Sequence, residues 1–200
     1  MASRNSGKVD ELRRLLRAVP WRLVELDQAP GGTGIHWEEE GATYRANAAI
    51  KARAVCAGTG FPSLGEDSGI EVKALDGWPG VHTARWMGAV ASADQLLAGL
   101  TERVAALAPA DRGATFVCAV ALALPGPRGE IELFESEARL EGTLLTQPRG
   151  RQGFGYDPIF VPEGGLHTMA EISQAQKDEV SHRGAAVRKL LSRLGQAVIS

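Results

Sequence analysis

A strand–turn–strand pattern near the middle of the chain limits the folds open to it. Residues 114–124 are mostly apolar, and residues 131–140 follow them after the segment Pro125-Gly126-Pro127-Arg128-Gly129. Proline and glycine between two apolar segments are typical of a turn, so we expect the two segments to be neighbouring strands. Segments with helical periodicity lie on both sides of this pattern. The sequence therefore predicts the α/β class, with helices flanking a mixed β-sheet.

Apolar residues recur at helical spacing in several segments, and the flanking residues are typical of helix ends. The predicted helices run from about Lys8 to before Pro20, from after Thr43 to Gly58 or Gly60, from after Ser92 to before Pro109, and from after Ser181 to Gly195. Short strands are predicted at residues 23–26 and 70–72, and irregular structure at residues 142–156.

The overall charge and composition exclude several classes of protein. The 200 residues carry a formal net charge of −2, with 44% apolar and 23% charged residues. Proteins that bind nucleic acid by bulk electrostatics have a strong basic excess, so we expect no nucleic-acid partner and a local basic cluster for any anionic ligand. The sequence contains no apolar run of membrane-spanning length and no signal-peptide pattern. A cytoplasmic protein without a membrane partner is predicted.

The N-terminal segment Ser3-Arg4-Asn5-Ser6-Gly7-Lys8 leads directly into the first predicted helix. Backbone amides at a helix N-terminus point outward and the helix dipole favours anions there, while Lys8 adds a mobile positive charge. The segment lacks the spacing of a Walker A loop. Two interpretations remain open for it: a phosphate-binding loop, or a simple helix cap formed by Asn5 or Ser6 beside a solvated Lys8.

Acidic residues occur together at two places. Glu66 and Asp67 are adjacent and precede Ser68-Gly69, and the run Glu38-Glu39-Glu40 lies upstream. Mg²⁺ binds oxygen ligands, keeps several waters and bridges to substrate phosphates, so one or two fixed carboxylates are enough to hold it. The alternatives are an acidic turn capped by Ser68 and a solvated acidic loop at residues 38–40.

Aromatic and cationic residues near the C-terminus favour a nucleobase. The segment Phe154-Gly155-Tyr156-Asp157 lies among glycines that allow close approach of a ligand, and its rings offer stacking faces; the alternative is that both rings belong to the core. His182 and Arg183 begin the last predicted helix and are donors. A 6-keto purine presents acceptors at O6 and N7, whereas adenine presents an amino donor, so these residues favour hypoxanthine and xanthine.

Four segments, taken in chain order, resemble the inosine triphosphate pyrophosphatase (ITPase) family over nearly the whole chain: Ser3–Lys8, Glu66–Gly69, Phe154–Asp157 and Ser181–Gly184. The resemblance implies one ITPase-like domain over residues 1–200, with an elongated mixed sheet flanked by helices, two lobes with a central active-site cleft, and a homodimer. The N-terminal segment resembles the family signature [ST]-G-N-x-x-K, which holds the triphosphate. Arg4 stands where the family usually has glycine.

The resemblance also implies roles for single residues. Asp67 is implied as the catalytic residue and as a metal ligand, with Ser68 contacting the substrate. A further metal carboxylate precedes the segment Gly41-Ala42-Thr43-Tyr44, and spacing favours Glu38 among the three glutamates. The segment 154–157 is implied to line the nucleotide site, and Lys177 to contact the substrate.

The predicted function is Mg²⁺-dependent hydrolysis of ITP, dITP and XTP to the monophosphate and pyrophosphate. Its partner is the purine nucleoside triphosphate itself. Two alternatives stay open: a pyrophosphatase for modified pyrimidine nucleotides, and a nucleotide-binding module without catalysis.

Overall fold

The computed structural model describes residues 1–3, 5–88 and 90–199, with side chains up to residue 195. Arg4 lies outside the described residues. Five α-helices are described, namely α1 (Ser6–Leu15), α2 (Tyr44–Thr59), α3 (Ala93–Ala105), α4 (Gln174–Val180) and α5 (His182–Ile199). The strands of this described part are β1 (Ser63–Val72), β2 (Gly113–Pro125), β3 (Ile131–Leu144) and β4 (Phe160–Pro162).

The strands form one sheet in the order β1-β2-β3-β4. β3 and β4 pair antiparallel, with Gly142 opposite Pro162 and Leu144 opposite Phe160. A parallel bridge joins Ala2 to Gly65 of β1, so the N-terminal residues contribute a parallel element next to the sheet. The prediction of an α/β chain with a mixed sheet is confirmed. Among the described residues, no helix combines the length and the apolar character that crossing a membrane requires.

The chain divides into two compact units. Unit 1 consists of Met1–Asp67, Cys118–Ala138 and Arg183–Ser200, and unit 2 consists of Ser68–Val117 and Arg139–His182. β1, β2 and β3 each contribute residues to both units. The assignment of residues 1–200 to one domain stays a prediction, and each unit is described by itself below.

Unit 1 has a core in which α1 and α5 pack on strand residues. This cluster contains Val9 and Leu12 of α1 and Leu16 at the end of that helix. It also contains Val187 and Leu190 of α5 and Cys118 and Val120 of β2. The three-residue spacing of Val9 and Leu12 places both on one face of α1, which explains why that face is buried. α1 is thereby fixed against the strands, and its N-terminal turn is positioned with it.

Unit 2 has a separate core built from strand ends and α3. Phe116 of β2 lies at its centre and stacks on Phe160 with 4.1 Å between ring centroids. Leu100 and Val104 of α3 and Tyr156 of the glycine-rich segment belong to the same cluster. Tyr156 is 6% exposed, so this ring is part of the core, as one of the two interpretations held.

Most local predictions of helix ends are confirmed. Thr43 caps α2 by accepting from the Ala46 amide, and Gly60 ends α2 with φ of 71°. Ser92 and Gln95 form the predicted capping box of α3. Glycine suits the end of α2 because a side chain is disfavoured at this positive φ.

Other local predictions are wrong. Residues 23–26 form no strand in the described chain, and only a short 3₁₀ turn follows at Leu26–Gln28. α5 begins after Ser181 as predicted, but it runs through Gly195 to Ile199. The helix α4, with a capping box at Ser173, was not predicted. β3 extends to Leu144, four residues beyond the predicted end at residue 140.

Candidate active site

The two adjacent carboxylates, Glu66 and Asp67, lie in the middle of β1 and not at a turn. β1 is continuous from Ser63 to Val72, so the alternative of an acidic turn capped by Ser68 is wrong. Successive side chains of a strand point to opposite faces of the sheet. Glu66 and Asp67 therefore have different partners, and they do not form the paired carboxylate site that their adjacency suggested.

Glu66 lies in a buried cluster of charges in unit 1. Its Oε2 is 2.8 Å from Nζ of Lys8, and its Oε1 accepts from Nε and Nη2 of Arg183 at 3.1 and 3.0 Å. Cys118 Sγ lies 3.4 Å from the same Oε1, and Arg183 Nη1 donates to Glu11 Oε2 at 3.0 Å. The charges of Lys8 and Arg183 balance those of Glu66 and Glu11, which makes burial of the cluster tolerable.

These contacts fix the protonation states in the cluster. Burial alone would raise the pKa of Glu66, but Lys8 and Arg183 outweigh it and hold the pKa well below 4.5. Burial opposes charge on Arg183 as well, yet Glu66 and Glu11 keep its pKa above the ordinary value. Cys118, fully buried and beside Glu66, has a pKa raised well above 9.0. Glu66 is thus an anion at neutral pH, and Cys118 is a buried free thiol.

Asp67 is held by the polar face of α2. Its Oδ1 lies 2.9 Å from Nζ of Lys51, and its Oδ2 accepts from Nδ2 of Asn47 at 3.1 Å. Lys51 also donates to the backbone oxygen of Glu66 at 3.1 Å. Burial raises the pKa of Asp67 above 3.8, although Lys51 acts in the opposite direction. A carboxylate with a raised pKa accepts protons more readily than an exposed one.

The acidic run contributes Glu39 to this group. Glu39 Oε1 lies 2.8 Å from Nζ of Lys51, so the same ammonium group is bound by Glu39 and by Asp67. Glu38 and Glu40 are exposed, whereas Glu39 is half-buried. The structure therefore brings Glu39 close to Asp67, where spacing favoured Glu38. Which glutamate binds metal stays a prediction.

The donor set around Asp67 fits Mg²⁺. Among the described residues no group of three or more His, Cys, Asp or Glu side chains is arranged to hold a metal ion. Mg²⁺ does not need such a cage, because one or two carboxylates suffice when substrate phosphates supply further oxygens. Asp67 and Glu39 already share one cationic partner, Lys51, and their ligand atoms are oxygens. The residues present are therefore compatible with a magnesium ion bound together with phosphate.

The N-terminal loop begins α1. Asn5 Oδ1 accepts from the Lys8 amide at 3.1 Å, and Ser3 Oγ accepts from the Asn5 amide at 3.2 Å. Asn5 is therefore the helix cap, as one of the two interpretations held. Lys8, however, is not solvated: its side chain is 17% exposed and pairs with Glu66. Ser6 is exposed and Gly7 is half-buried in the first turn, and binding of phosphate to these residues stays a prediction.

In unit 2, the segment 154–157 is fastened at its end. Asp157 Oδ2 accepts from the Phe154 amide at 2.8 Å and also binds Nζ of Lys177. Asp157 and Lys177 are buried, and Nζ of Lys177 lies 4.7 Å from the centre of the Phe154 ring. A Cβ on Gly153 would lie 2.1 Å from Asp157 Oδ2, so a side chain at that position would displace the carboxylate. Lys177 therefore belongs to this loop, and its contact with substrate stays a prediction.

Tyr156 fastens the same segment from its middle. Its Oη accepts from Nε1 of Trp86 at 2.9 Å and donates to the backbone oxygen of Thr83 at 3.0 Å. Thr83 in turn accepts from the Ile70 amide of β1 at 2.9 Å. Gly155, between the two rings, has φ of 62°, which favours glycine. The loop conformation is thus set by hydrogen bonds from residues 70–86.

His182 and Arg183 are adjacent, but their side chains have different surroundings. The His182 ring stacks on Phe116 in unit 2, with 4.7 Å between centroids, and His182 is 5% exposed. Arg183 belongs to the charge cluster of unit 1. The structure therefore does not present them as the paired donor cluster that the sequence suggested, and their contact with a base stays a prediction.

Comparison with known proteins identifies the family. The Ham1 family model matches residues 1–193 of the chain. The chain belongs to the Ham1 family. This confirms the resemblance drawn from the four sequence segments.

Relatives of this Ham1-family chain carry a common name. The dITP/XTP pyrophosphatase of Frankia alni is 43% identical, over 100% of this chain and 98% of the relative. The dITP/XTP pyrophosphatase of Symbiobacterium thermophilum is 45% identical, over 97% of this chain and 93% of the relative. The family likeness therefore extends over the full length of both proteins.

Solved structures agree with this assignment. The HAM1 protein from Coxiella burnetii has a TM-score of 0.81 and 34% identity, and the match covers 97% of this chain and 96% of that one. The nucleoside-triphosphatase / dITP/XTP pyrophosphatase from Mycobacterium abscessus has a TM-score of 0.71 and 42% identity, with 96% of each chain covered. The ITPase-like fold class is confirmed by these neighbours.

Several residues that contact the predicted site residues have no role in the motif-based prediction. Asn47 and Lys51 bind Asp67, Glu11 binds Arg183, and Trp86 and Thr83 hold Tyr156. Two of these, Asn47 and Lys51, had a usable sequence signal: they are four residues apart on an alanine-rich helix, so they share one helix face. Polar side chains on such a face, buried at 0% and 5% exposure, indicate partners inside the molecule.

Proposed function

We propose that this Ham1-family chain is a nucleoside triphosphate pyrophosphatase that hydrolyses dITP, XTP and ITP to the monophosphate and pyrophosphate. The observation that supports this best is the Asp67 centre. A buried carboxylate with a raised pKa is held in a fixed orientation by Lys51 and Asn47, in a family whose relatives are named dITP/XTP pyrophosphatases.

Asp67 acts as the proton acceptor in this reaction. Water attacks the α-phosphorus, a new P–O bond forms, and the bond from the α-phosphorus to the bridging oxygen breaks, so that pyrophosphate leaves. The proton lost by the attacking water passes to the Asp67 carboxylate. Its raised pKa favours this transfer, because a general base works best when its pKa is close to the working pH.

Mg²⁺ is the proposed cofactor, held by Asp67 and by one glutamate of the acidic run. Among these glutamates, Glu39 pairs with Lys51, which also pairs with Asp67. When bound, it would neutralise charge on the triphosphate and on the leaving pyrophosphate. Lys51 keeps the two carboxylates together in the protein alone, and its pKa is raised by Asp67 and Glu39 although burial acts against this. Lys51 therefore stays charged and adds to the positive field at the reaction centre.

The first turn of α1 is the proposed triphosphate site. Its N-terminal amides and the helix dipole favour an anion, and Ser3, Asn5 and Lys8 lie beside it. Lys8 pairs with Glu66 in the protein alone, while Glu66 keeps Arg183 as a second cationic partner. Lys8 can therefore turn to a phosphate without leaving Glu66 as an uncompensated buried charge.

Unit 2 supplies the proposed base contacts. Phe154 offers a stacking face, and the fastened loop 154–157 holds that ring in place. Because Arg183 is already bound by Glu11 and Glu66, we assign donation to a 6-keto group to His182 ahead of Arg183. Ser68, which follows Asp67 on β1, is a proposed further contact to substrate.

We also propose that the chain acts as a homodimer in the cytoplasm on free nucleotides. The net charge of −2 supports free nucleotides over nucleic acid as the substrate. Analytical ultracentrifugation would measure the oligomeric state directly.

The activity is tested by pyrophosphate release from dITP, XTP, ITP, dATP, ATP and GTP, each with and without Mg²⁺. We expect release from the first three, dependent on Mg²⁺, and little from the others. Asp67→Asn is the inactive control. Nucleotide binding without release would support the non-catalytic module, and faster release from modified pyrimidine triphosphates would support that alternative instead.

A further inference from the structure

Asn47 connects the acidic run to the reaction carboxylate. Its Oδ1 accepts from the Gly41 amide at 2.8 Å, and its Nδ2 donates to Asp67 Oδ2 at 3.1 Å. Asn47 is 0% exposed; its bond to Asp67 is buried and its bond to the Gly41 amide is partly buried. Gly41 follows directly on Glu38-Glu39-Glu40. One carboxamide therefore joins the end of the acidic run to the strand that bears Asp67.

This connection needs a carboxamide and a glycine. A carboxamide offers an acceptor and a donor at its two ends, whereas a carboxylate offers only acceptors. A Cβ on Gly41 would lie 2.7 Å from Asn47 Oδ1 and 2.7 Å from the Ala46 Cβ, so any side chain there would push the two segments apart. Thr43 caps α2 through the Ala46 amide and makes neither of the two Asn47 side-chain bonds.

We infer that Asn47 is a positioning residue of the reaction centre, which fixes the orientation of the Asp67 carboxylate relative to residues 38–41. The inference rests on the proposed pyrophosphatase function. Lys51 binds one oxygen of Asp67 and Asn47 binds the other, so the plane of the carboxylate is set by both. Lys51 is charged, so its removal would change the electrostatics and the geometry together. Asn47 is neutral, and its removal reports on orientation.

The test compares Asn47→Ala with Asn47→Asp. Alanine removes both hydrogen bonds and suits the alanine-rich helix α2. Aspartate keeps an acceptor for the Gly41 amide and removes the donor to Asp67. We expect kcat for dITP to fall by about 10- to 100-fold in both variants, because a small misplacement of a reacting group costs up to about that factor. KM for dITP should stay within about threefold, since the substrate contacts are elsewhere.

A second readout does not depend on activity. Hydrogen exchange of the Gly41 amide in the metal-free protein should become faster in Asn47→Ala, which loses the acceptor, and should stay slow in Asn47→Asp, which keeps it. Thr43→Ala is the matched control on the same helix. It removes the side-chain cap of α2 but leaves the Asn47 side-chain bonds in place, so kcat should be unchanged.

The outcomes separate the inference from the proposed function. If the wild-type protein released no pyrophosphate, the proposed function itself would be wrong. Wild-type kcat in Asn47→Ala, or a loss confined to Asn47→Asp, would overturn the positioning role, because the second pattern would report added negative charge. A loss of kcat in Thr43→Ala equal to that in Asn47→Ala would also overturn it. If Asn47→Ala does not fold, a wild-type kcat in Asn47→Asp would likewise overturn the positioning role.

Discussion

Glu66 and Asp67 are neighbours on one strand and nearly equally buried, at 1% and 5% exposure, yet their pKa values move in opposite directions. Glu66 faces Lys8 and Arg183, whose charges outweigh the cost of burial. Asp67 faces Lys51, which it shares with Glu39. The difference shows that burial alone does not determine the pKa of a carboxylate; the number of cationic partners close to it matters as well.

The two carboxylates are therefore suited to different tasks. Glu66 is an anion at neutral pH, and it connects α1 and the start of α5 to the sheet through Lys8 and Arg183, the second of which also binds Glu11. Asp67 has a raised pKa and can take up a proton. We propose that Glu66 stabilises the fold and holds Lys8, and that Asp67 takes part in the reaction.

The largest expected effect separates these tasks by activity. Asp67→Asn keeps the shape of the side chain and a partner for Lys51, but it removes the proton acceptor. We expect kcat for dITP to fall by roughly 10²- to 10⁴-fold, the range for a positioned acid–base group, with the protein still folded. Pyrophosphate release at saturating dITP measures it, and circular dichroism checks the fold. Activity within a few-fold of wild type would show that Asp67 is not the proton acceptor.

The next effect concerns stability. Glu66→Gln removes the carboxylate that Lys8 and Arg183 share, and removal of one partner from a buried pair costs about 3–5 kcal/mol in the free energy of unfolding. Arg183→Met should cost a similar amount, because it removes the cation that Glu66 and Glu11 share. Urea unfolding measures both variants. An Arg183 variant with wild-type stability but lost preference for ITP over ATP would instead place Arg183 at the base.

A third effect concerns the acidic run. Glu39→Gln should raise the Mg²⁺ concentration needed for half-maximal activity by about 10- to 100-fold, the usual cost of losing a group that binds or orients a metal. Glu38→Gln and Glu40→Gln are matched controls from the same run, both at exposed positions. A larger defect in Glu38→Gln would support the register inferred from spacing, and Glu39 would then serve only as a partner of Lys51.

The helix caps and the family could be predicted from the sequence because their signals are local. Thr43 and Ser92 lie within a few residues of the amides they bind. The charge cluster could not be predicted, because Arg183 binds carboxylates that lie 117 and 172 residues away in the chain. Such partners meet only once the sheet and both helices have packed. The spacing of these residues in the sequence therefore does not predict that they are in contact.

The incorrect pairing of Glu66 with Asp67 has a similar cause. The polar residues Glu66-Asp67-Ser68-Gly69 lack the apolar alternation that is typical of a strand. The sequence indicates a strand only at Ile70 and Val72. Without the strand, adjacency suggested a shared metal site. With it, the period of two assigns the two carboxylates to opposite faces. The partners of Glu66 and Asp67 therefore depend on a strand that the polar residues 66–69 made difficult to predict.

The smallest expected effect, a change in how stability depends on pH, tests the comparison in a single experiment. Glu66 has a lowered pKa in the folded state, so the unfolded chain binds more protons below pH 4.5, and the stabilisation from Glu66 is lost as the pH falls. Asp67 has a raised pKa, so the folded chain binds more protons above pH 3.8, and Asp67 destabilises the fold as the pH rises. Between about pH 3 and about pH 6, rising pH should therefore make Glu66→Gln less stable relative to wild type, and Asp67→Asn more stable. Urea midpoints across this range measure both differences. Slopes of the same sign would mean that the two carboxylates do not differ in the way described.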